Sequence, residues 1–255
     1  MTAAVQGEFR LETAANGWTV GRFPALAAVP GVSHLVTTRE ALDAQWVRRE
    51  PGPAAYAAAE AAGLNGAAWL EQVHGTEVAV VSAPGFAGRA DGLVTDTPAL
   101  ALTVRSADCP LILAAARDGR AVGAVHASWR GTAGGAAGRL VAAMAEHLGV
   151  EPGELVAGVC PSAGPCCYEV GREVLEAVVA GRGEAARQWF VDAPGRLHFD
   201  LWRANVEQLG AVGVAASDIH VAGLCTICGD VPLPSHRREG PDTGRFLAAI
   251  GFVAA

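Results

Sequence analysis

Residues 99–131, ALALTVRSADCPLILAAARDGRAVGAVHASWRG, decide the fold because they predict a β-hairpin. The pair Asp118-Gly119 separates two apolar runs, and this pair is a strong signal for a two-residue type I′ turn. With that turn, Leu111 faces His126 across the hairpin. Both faces of the two strands are apolar, so we expect the hairpin to lie in a sheet that is covered on both sides.

The predicted register also places a thiol beside an imidazole. Cys109 lies two residues before Leu111, so in a continuous strand it is the diagonal neighbour of His126 on one face. Such neighbours are roughly 7–8 Å apart at the backbone, within reach of one shared metal ion. His74, near the junction of two predicted strands in AWLEQVHGTEVAVVS, is the third candidate residue.

These three residues leave three interpretations open. Two imidazoles and a thiolate, with a fourth position for water, form a catalytic zinc site. Cys109 and a histidine could instead form a nucleophilic pair. A buried cysteine and a hydrogen-bonded histidine at a strand end, without chemistry, is the third interpretation. Asp108, next to Cys109, is either a structural cap or a partner of a ligand.

A helix is predicted to open at Gly131 and Thr132 and to end at Gly149. Arg130 stands just before it, and an arginine beside free helix amides suits phosphate, although a surface arginine fits the pattern almost as well. A second helix is predicted at 54–64. Strands and helices mix without strict alternation, so we expect one α+β domain over residues 1–255.

Composition excludes several classes of protein. The chain is 51% hydrophobic and 18% charged, unlike a disordered chain. A net charge of −7 without a basic stripe argues against a nucleic-acid partner. The first 17 residues lack a basic segment followed by an apolar one, and no apolar stretch reaches the roughly 18 residues of a membrane span. We therefore expect a cytoplasmic protein with no membrane partner.

The six cysteines are too sparse for a disulfide framework, so free thiols or ligands are expected. Cys225 and Cys228 have CxxC spacing, but one such pair without a second is a weak zinc signal, and we assign it mainly to structure. The adjacent Cys166 and Cys167 are interpreted as packing residues of a loop.

Several motifs carry a family resemblance, in order along the chain: QVHG (72–75), ADG (90–92), SADCPLIL (106–113), HASWRG (126–131), GPCCYEVG (164–171), FDLWRANVEQL (199–209), and CTIC (225–228) followed by SHRREGPDTGRFLAAIGF (235–252). In these motifs the sequence resembles the family variously called multicopper polyphenol oxidase, laccase-domain protein, or purine nucleoside phosphorylase of the peptidoglycan-editing-factor type.

The resemblance implies a single-domain layered sandwich of mixed β-sheets flanked by helices. It also implies that His74, Cys109 and His126 converge on a zinc ion in a shallow pocket. The implied activity is phosphorolysis of purine nucleosides, with adenosine deamination as a second reaction that uses metal-activated water. The family's older name implies copper-dependent phenol oxidation, but the chain lacks the histidine clusters and axial methionine of a multicopper centre.

The sequence departs from the family pattern at two places. The family usually has HAGWRG, and Ser128 replaces that glycine here. The family's N-terminal STR-x-GG stretch is only echoed by TTREALD (37–43), in which Arg39 matches the arginine. The resemblance therefore does not extend to the wall built by this loop, nor to the choice of substrate that depends on it.

The favoured hypothesis is a zinc enzyme whose partners are purine nucleosides and inorganic phosphate, with Arg39 and Arg130 as the residues that hold phosphate. Its rivals are a cysteine hydrolase or amidase that edits peptidoglycan precursors, with Cys109 as nucleophile, a copper-dependent polyphenol oxidase, and a non-catalytic metal-binding protein.

Overall fold

The computed structural model describes residues 9–193 and 195–253; residues 1–8, where no leader-like pattern was found, lie outside the described residues. The strands, in chain order, are β1 (Arg10–Thr13), β2 (Thr19–Arg22), β3 (Val32–Thr37), β4 (Gly66–Glu71), β5 (Val78–Val80), β6 (Gly85–Arg89), β7 (Gly92–Thr95), β8 (Leu100–Ser106), β9 (Leu111–Ala116), β10 (Val122–His126), β11 (Leu155–Val159), β12 (Phe190–Ala193), β13 (Arg196–Phe199), β14 (Ile219–Val221) and β15 (Phe246–Phe252).

The helices, in chain order, are α1 (Pro24–Ala27), α2 (Ala44–Arg49), α3 (Pro51–Ala61), α4 (Trp129–Gly134), α5 (Ala136–Leu148), α6 (Arg172–Arg182), α7 (Leu201–Ala211) and α8 (His236–Glu239). Within the described residues, no helix combines the length and the apolar character needed to cross a membrane.

Strands β9 and β10 form the predicted hairpin, and the register is as predicted, with Leu111 opposite His126. The predicted type I′ turn is wrong. Gly119 has a φ of +77°, but Asp118 is not in the left-handed region, and the Gly119 N–H donates to the Ala116 carbonyl oxygen over 2.8 Å. A longer loop keeps the same register with one left-handed residue, which spares aspartate a conformation that side chains disfavour.

Two large sheets form the centre of the fold. One contains seven strands in the order β1-β2-β3-β15-β8-β4-β6, and the other six in the order β14-β11-β9-β10-β7-β5; β12 and β13 form a separate pair. Parallel and antiparallel pairs occur together: β8 pairs antiparallel with β15 and parallel with β4. Helix α3 packs on the seven-stranded sheet, and α5 and α7 pack on the six-stranded sheet. The predicted α+β layered sandwich is confirmed.

The hairpin is buried on both faces because it lies between two apolar cores. Leu111 and Leu113 of β9 join the core between the two large sheets. Ile112, on the opposite face, packs with Leu140 and Met144 of α5. Successive side chains of a strand point to opposite faces, so a strand covered on both sides must be apolar throughout.

Two predicted helix starts are wrong by a few residues. Helix α4 begins at Trp129, because the Ser128 hydroxyl caps it by accepting the Gly131 N–H over 3.1 Å, and Gly135 in the left-handed region separates α4 from α5. Helix α3 begins at Pro51, three residues early, because the first turn of a helix tolerates proline.

The chain crosses from the seven-stranded to the six-stranded sheet between β4 and β5, between β6 and β7, and between β8 and β9. These three connections carry His74, Asp91 and Cys109, respectively. His126 is the last residue of β10, in the middle of the six-stranded sheet. The sheet topology therefore brings distant parts of the sequence to one place.

Candidate metal centre

His74, Cys109 and His126 converge at the ends of the strands. One ligand atom from each lies within 4.8 Å of the other two. His126 is only 3% exposed, Cys109 is half-buried and His74 is exposed, so the group is open to solvent on one side. Two imidazoles and a thiolate fit zinc, and the open side leaves room for a fourth ligand.

Cys109 does not reach this group in the way the hairpin register predicted. Strand β9 begins at Leu111, so Cys109 is not on a strand face, and that part of the prediction is wrong. Asp108 has a φ of +93°, which turns the chain as it leaves β8 for the other sheet. The carbonyl oxygen of Cys109 accepts the Ser106 hydroxyl over 2.7 Å, which closes this short connection.

The buried carboxylate of Asp91 holds both histidines. It accepts the backbone N–H groups of Val73 at 3.2 Å, His74 at 3.0 Å and Gly75 at 2.6 Å. It also lies 2.9 Å from His126 Nδ1. The three amides fix the loop at His74, whose φ of +63° is rare for a residue with a side chain. Sequence reasoning quoted ADG only as a family motif and missed this role.

The carboxylate also selects the ring nitrogen of His126 that can bind a metal. Because Asp91 accepts a hydrogen bond from Nδ1–H, Nε2 is the ring nitrogen left to face Cys109 and His74. A carboxylate that accepts a hydrogen bond from the second ring nitrogen is a common support for histidine ligands in zinc sites. Burial opposes protonation of His126, but Cys109 and Asp91 outweigh it and raise its pKa to about 9. A metal ion would therefore compete with a proton here.

The pKa of His74 is shifted in the opposite direction to that of His126. Burial and the neighbouring His126 lower its pKa, and the positive charges of Arg130 and Arg245 lower it further, although Asp91 opposes the shift. A neutral imidazole is the form that binds metal. The contribution of Arg130 and Arg245 to the lowered pKa of His74 means that the positive charge of both guanidinium groups acts on this residue.

Arg130 and Arg245 bring positive charge, and within the described part of the chain neither forms an ion pair with a carboxylate. Arg130 is exposed and stacks on Trp129, 4.3 Å from the ring centre. Arg245 is half-buried and donates to the carbonyl oxygens of Thr243 and Gly244, both at 2.9 Å. Burial lowers the pKa of Arg245. In the sequence, Arg245 was part of the quoted motif SHRREGPDTGRFLAAIGF (235–252) and was given no role in the site.

Arg39 lies in a different environment. Its guanidinium forms an ion pair with Glu239 of α8, and its backbone N–H donates to the Pro232 carbonyl oxygen over 2.8 Å. The contacts described for Arg39 are therefore with α8 and the loop before it, and not with the three ligand residues. Its role in holding phosphate stays a prediction.

Ser128, the residue that departs from the family pattern, is 1% exposed and caps α4. Its hydroxyl is used by the helix, so the substitution is accommodated without a new group at the metal centre.

Asp108 forms the wall behind Cys109. Its carboxylate accepts the Thr226 hydroxyl over 2.6 Å and the Arg237 N–H over 2.7 Å. Its carbonyl oxygen accepts the Ala163 N–H over 2.7 Å. Asp108 therefore joins the loop after β11, the loop after β14 and the helix α8.

The fold and the site can be compared with known proteins. The family model described as multi-copper polyphenol oxidoreductase laccase matches residues 54–253. The chain is 38% identical over 192 residues to the purine nucleoside phosphorylase YlmD of Geobacillus stearothermophilus, covering 71% of this chain and 70% of the relative. It is 40% identical over 184 residues to a purine nucleoside phosphorylase of Deinococcus radiodurans, covering 72% and 69%.

The crystal structure of YlmD from Geobacillus stearothermophilus matches with a TM-score of 0.82 and 29% identity, over 97% of this chain and 100% of that one. The resemblance inferred from the motifs is confirmed by these matches.

Proposed function

The chain belongs to the multi-copper polyphenol oxidoreductase laccase family, and from that premise we propose that it is a zinc-dependent purine nucleoside phosphorylase with adenosine deamination as a second activity. The names of the similar proteins support the substrate class. The observation that carries the proposal is the convergence of His74, Cys109 and His126 beside Arg130 and Arg245.

The ligand residues fit zinc in their chemistry and in their support. His74, Cys109 and His126 would hold the ion, and Asp91 would keep His126 oriented. When bound, zinc would polarise an oxygen ligand and lower the pKa of water towards about 7. Because His74 is exposed, the nucleoside would enter from its side.

Phosphorolysis needs an anion held against the sugar. A phosphate oxygen forms a bond to ribose C1′ while the bond from C1′ to the purine nitrogen breaks, and that electron pair leaves with the base. The base takes up, through solvent, the proton that the phosphate releases. The guanidinium groups of Arg130 and Arg245 would hold the phosphate, since charge-assisted hydrogen bonds to phosphate are strong. Arg245 is thus added to Arg39 and Arg130, the residues predicted from the sequence to hold phosphate.

Deamination needs water but no phosphate. The water oxygen adds to C6 of adenine, the bond from C6 to the amino nitrogen breaks, and ammonia leaves with the proton of water. Arg130 and Arg245 have no reactant to hold in this reaction, so the two activities should respond differently to the loss of either arginine.

A cysteine hydrolase or amidase that edits peptidoglycan precursors is the second candidate. The side chains of His126 and Cys109 lie next to each other, which is the arrangement of a thiolate nucleophile with its imidazolium partner. The two candidates differ in one respect: the hydrolase would keep its activity after metal removal, and the phosphorylase would lose it. Copper-dependent phenol oxidation has only the family name in its favour.

The test is product analysis with adenosine and inosine at varied phosphate concentrations. We expect free base and ribose 1-phosphate only with phosphate, and inosine from adenosine without it. Arg245→Gln should raise KM for phosphate about tenfold or more while deamination changes less, because one charged hydrogen-bond donor is lost. Arg39→Ala should have a smaller effect, since Glu239 already engages that side chain.

Arg187→Gln is the matched control, because Arg187 is exposed and pairs with the exposed Glu184. Equal loss of both activities in Arg245→Gln would contradict the assignment of Arg245 to phosphate. Free base that forms from either nucleoside without any phosphate dependence would contradict the phosphorylase itself.

A further inference from the structure

A second group of metal-binding side chains lies outside the centre described above. The thiols of Cys166, Cys167, Cys225 and Cys228 lie within 4.8 Å of one another. The sulfur atoms of Cys166 and Cys228 are 3.5 Å apart, and none of the four forms a disulfide. Two come from the loop after β11 and two from the loop after β14. The fold thus joins two sequence signals that were interpreted separately as structural.

The turn at Cys225 is shaped to hold a sulfur ligand. The Gly164 N–H donates to Cys225 Sγ over 3.3 Å, and the backbone amides of Ile227 and Cys228 lie close to the same sulfur. Amides that point at the first sulfur of a CxxC turn stabilise negative charge on it. Cys225 is also 6% exposed, so its sulfur is held in one place by the surrounding chain.

The guanidinium group of Arg238 holds the backbone of this turn. The Arg238 guanidinium donates to the carbonyl oxygen of Thr226 over 2.8 Å and to that of Leu233 over 2.8 Å. Thr226 lies between the two cysteines of the CxxC pair. Arg238 also forms an ion pair with Glu239 over 2.8 Å, so it fixes the CxxC turn through its backbone contacts and not as a free positive charge.

We propose that Cys166, Cys167, Cys225 and Cys228 bind a second zinc ion as a closed tetrathiolate site. Zinc–sulfur bonds of about 2.3 Å in a tetrahedron place the sulfur atoms about 3.8 Å apart, close to the spacing found here. Binding forms four zinc–sulfur bonds and releases four protons to solvent, with no change of oxidation state. Four protein ligands leave no open position, so this ion is structural.

The tetrathiolate site would stabilise the loops that contact Asp108, the residue next to the ligand Cys109. The Thr226 hydroxyl, inside the CxxC turn, donates to the Asp108 carboxylate, and the Ala163 N–H donates to the Asp108 carbonyl oxygen. Ala163 and Thr226 belong to the two loops that the second ion would join. Asp108 in turn precedes Cys109. The second zinc therefore fixes the loops that position Cys109 without touching substrate.

The test is zinc content of the full chain, purified with reductant, for the wild type and three variants. We expect two zinc ions per wild-type chain. Cys228→Ser and Cys109→Ala should each lose one ion and keep the other. Cys160→Ala is the control and should keep both, because Cys160 is buried in the core between the sheets and belongs to neither group.

Cobalt substitution gives a second readout that does not depend on activity. Thiolate-to-cobalt charge-transfer absorption should fall strongly in Cys228→Ser and in Cys166→Ser, but only slightly in Cys109→Ala. Cys166→Ser provides the same test if Cys228→Ser fails to fold. A single zinc ion in the wild type that Cys109→Ala removes completely would overturn the proposal. An intramolecular disulfide between Cys166 and Cys228 in metal-free, folded protein would also overturn it.

Discussion

At the scale of single residues, Asp91 organises the candidate metal centre. Its carboxylate is fully buried and is compensated by three backbone amides and the ring of His126. Burial raises the pKa of Asp91, but the hydrogen bond from His126 and those from the backbone outweigh burial and lower it. The ionised carboxylate therefore sets both the loop at His74 and the tautomer of His126.

We predict that Asp91→Asn weakens zinc binding about 10–100-fold, because an amide cannot accept all of these hydrogen bonds. The protein should still fold, since asparagine has the same size. Zinc affinity would be measured by competition with a chelator. Asp96→Asn, at an exposed position shortly after β7, is the control. Unchanged affinity in Asp91→Asn would mean that Asp91 does not support the ligands.

A second buried side chain, His34, makes stability depend on pH. It is fully buried, and its Nε2 accepts the Phe23 N–H over 2.8 Å. Burial, with a contribution from Arg22, lowers its pKa to about 3. Between about pH 6.5 and 3 the unfolded chain binds a proton that the folded chain does not, so stability is present above this window and is lost as pH falls through it.

We therefore predict that His34→Gln flattens the acid side of the stability profile. The wild type should lose up to about 1.4 kcal/mol per pH unit from this group within the window, and the variant should not. Urea unfolding at several pH values measures the difference between the two slopes. His147→Gln, at an exposed position near the end of α5, controls for the loss of a histidine. Parallel profiles for His34→Gln and wild type would refute the account.

At the scale of secondary-structure elements, the hairpin shows what the sequence could predict. Two apolar runs around Asp118-Gly119 predict the pairing of Leu111 with His126, because register is local and each face must be apolar. The position of Cys109 could not be predicted in this way, since it depends on the chain leaving one sheet for another. The support from Asp91 was missed for the same reason: its partners lie 16 to 35 residues away.

The start of helix α4 is stabilised by the Ser128 cap. Ser128→Ala should destabilise the protein by about 1 kcal/mol, because the cap on the Gly131 N–H is lost, whereas Ser128→Gly should cost only a few tenths. Unfolding by urea measures both values. Zinc content should be unchanged in both variants. If Ser128→Gly loses zinc, the hydroxyl acts at the metal centre and not only as a cap.

At the scale of the whole molecule, two stacked sheets with helices on both sides explain why the site lies where it does. The motifs predicted this layered sandwich through the family resemblance, whereas composition and periodicity predicted only an α+β chain. The three crossings between the sheets carry His74, Asp91 and Cys109 to one place. Such long-range convergence has no local signal in a sequence, and a structure is needed to see it.

We propose that a metal ion held by His74, Cys109 and His126 supports phosphorolysis of purine nucleosides. The most direct measurement is the rate of ribose 1-phosphate formation from adenosine and phosphate, before and after metal removal and zinc reloading. We expect activity in zinc-loaded wild type and in Cys160→Ala, and none in metal-stripped protein or in folded Cys109→Ala. Undiminished activity in folded Cys109→Ala, or in the stripped wild type, would contradict it.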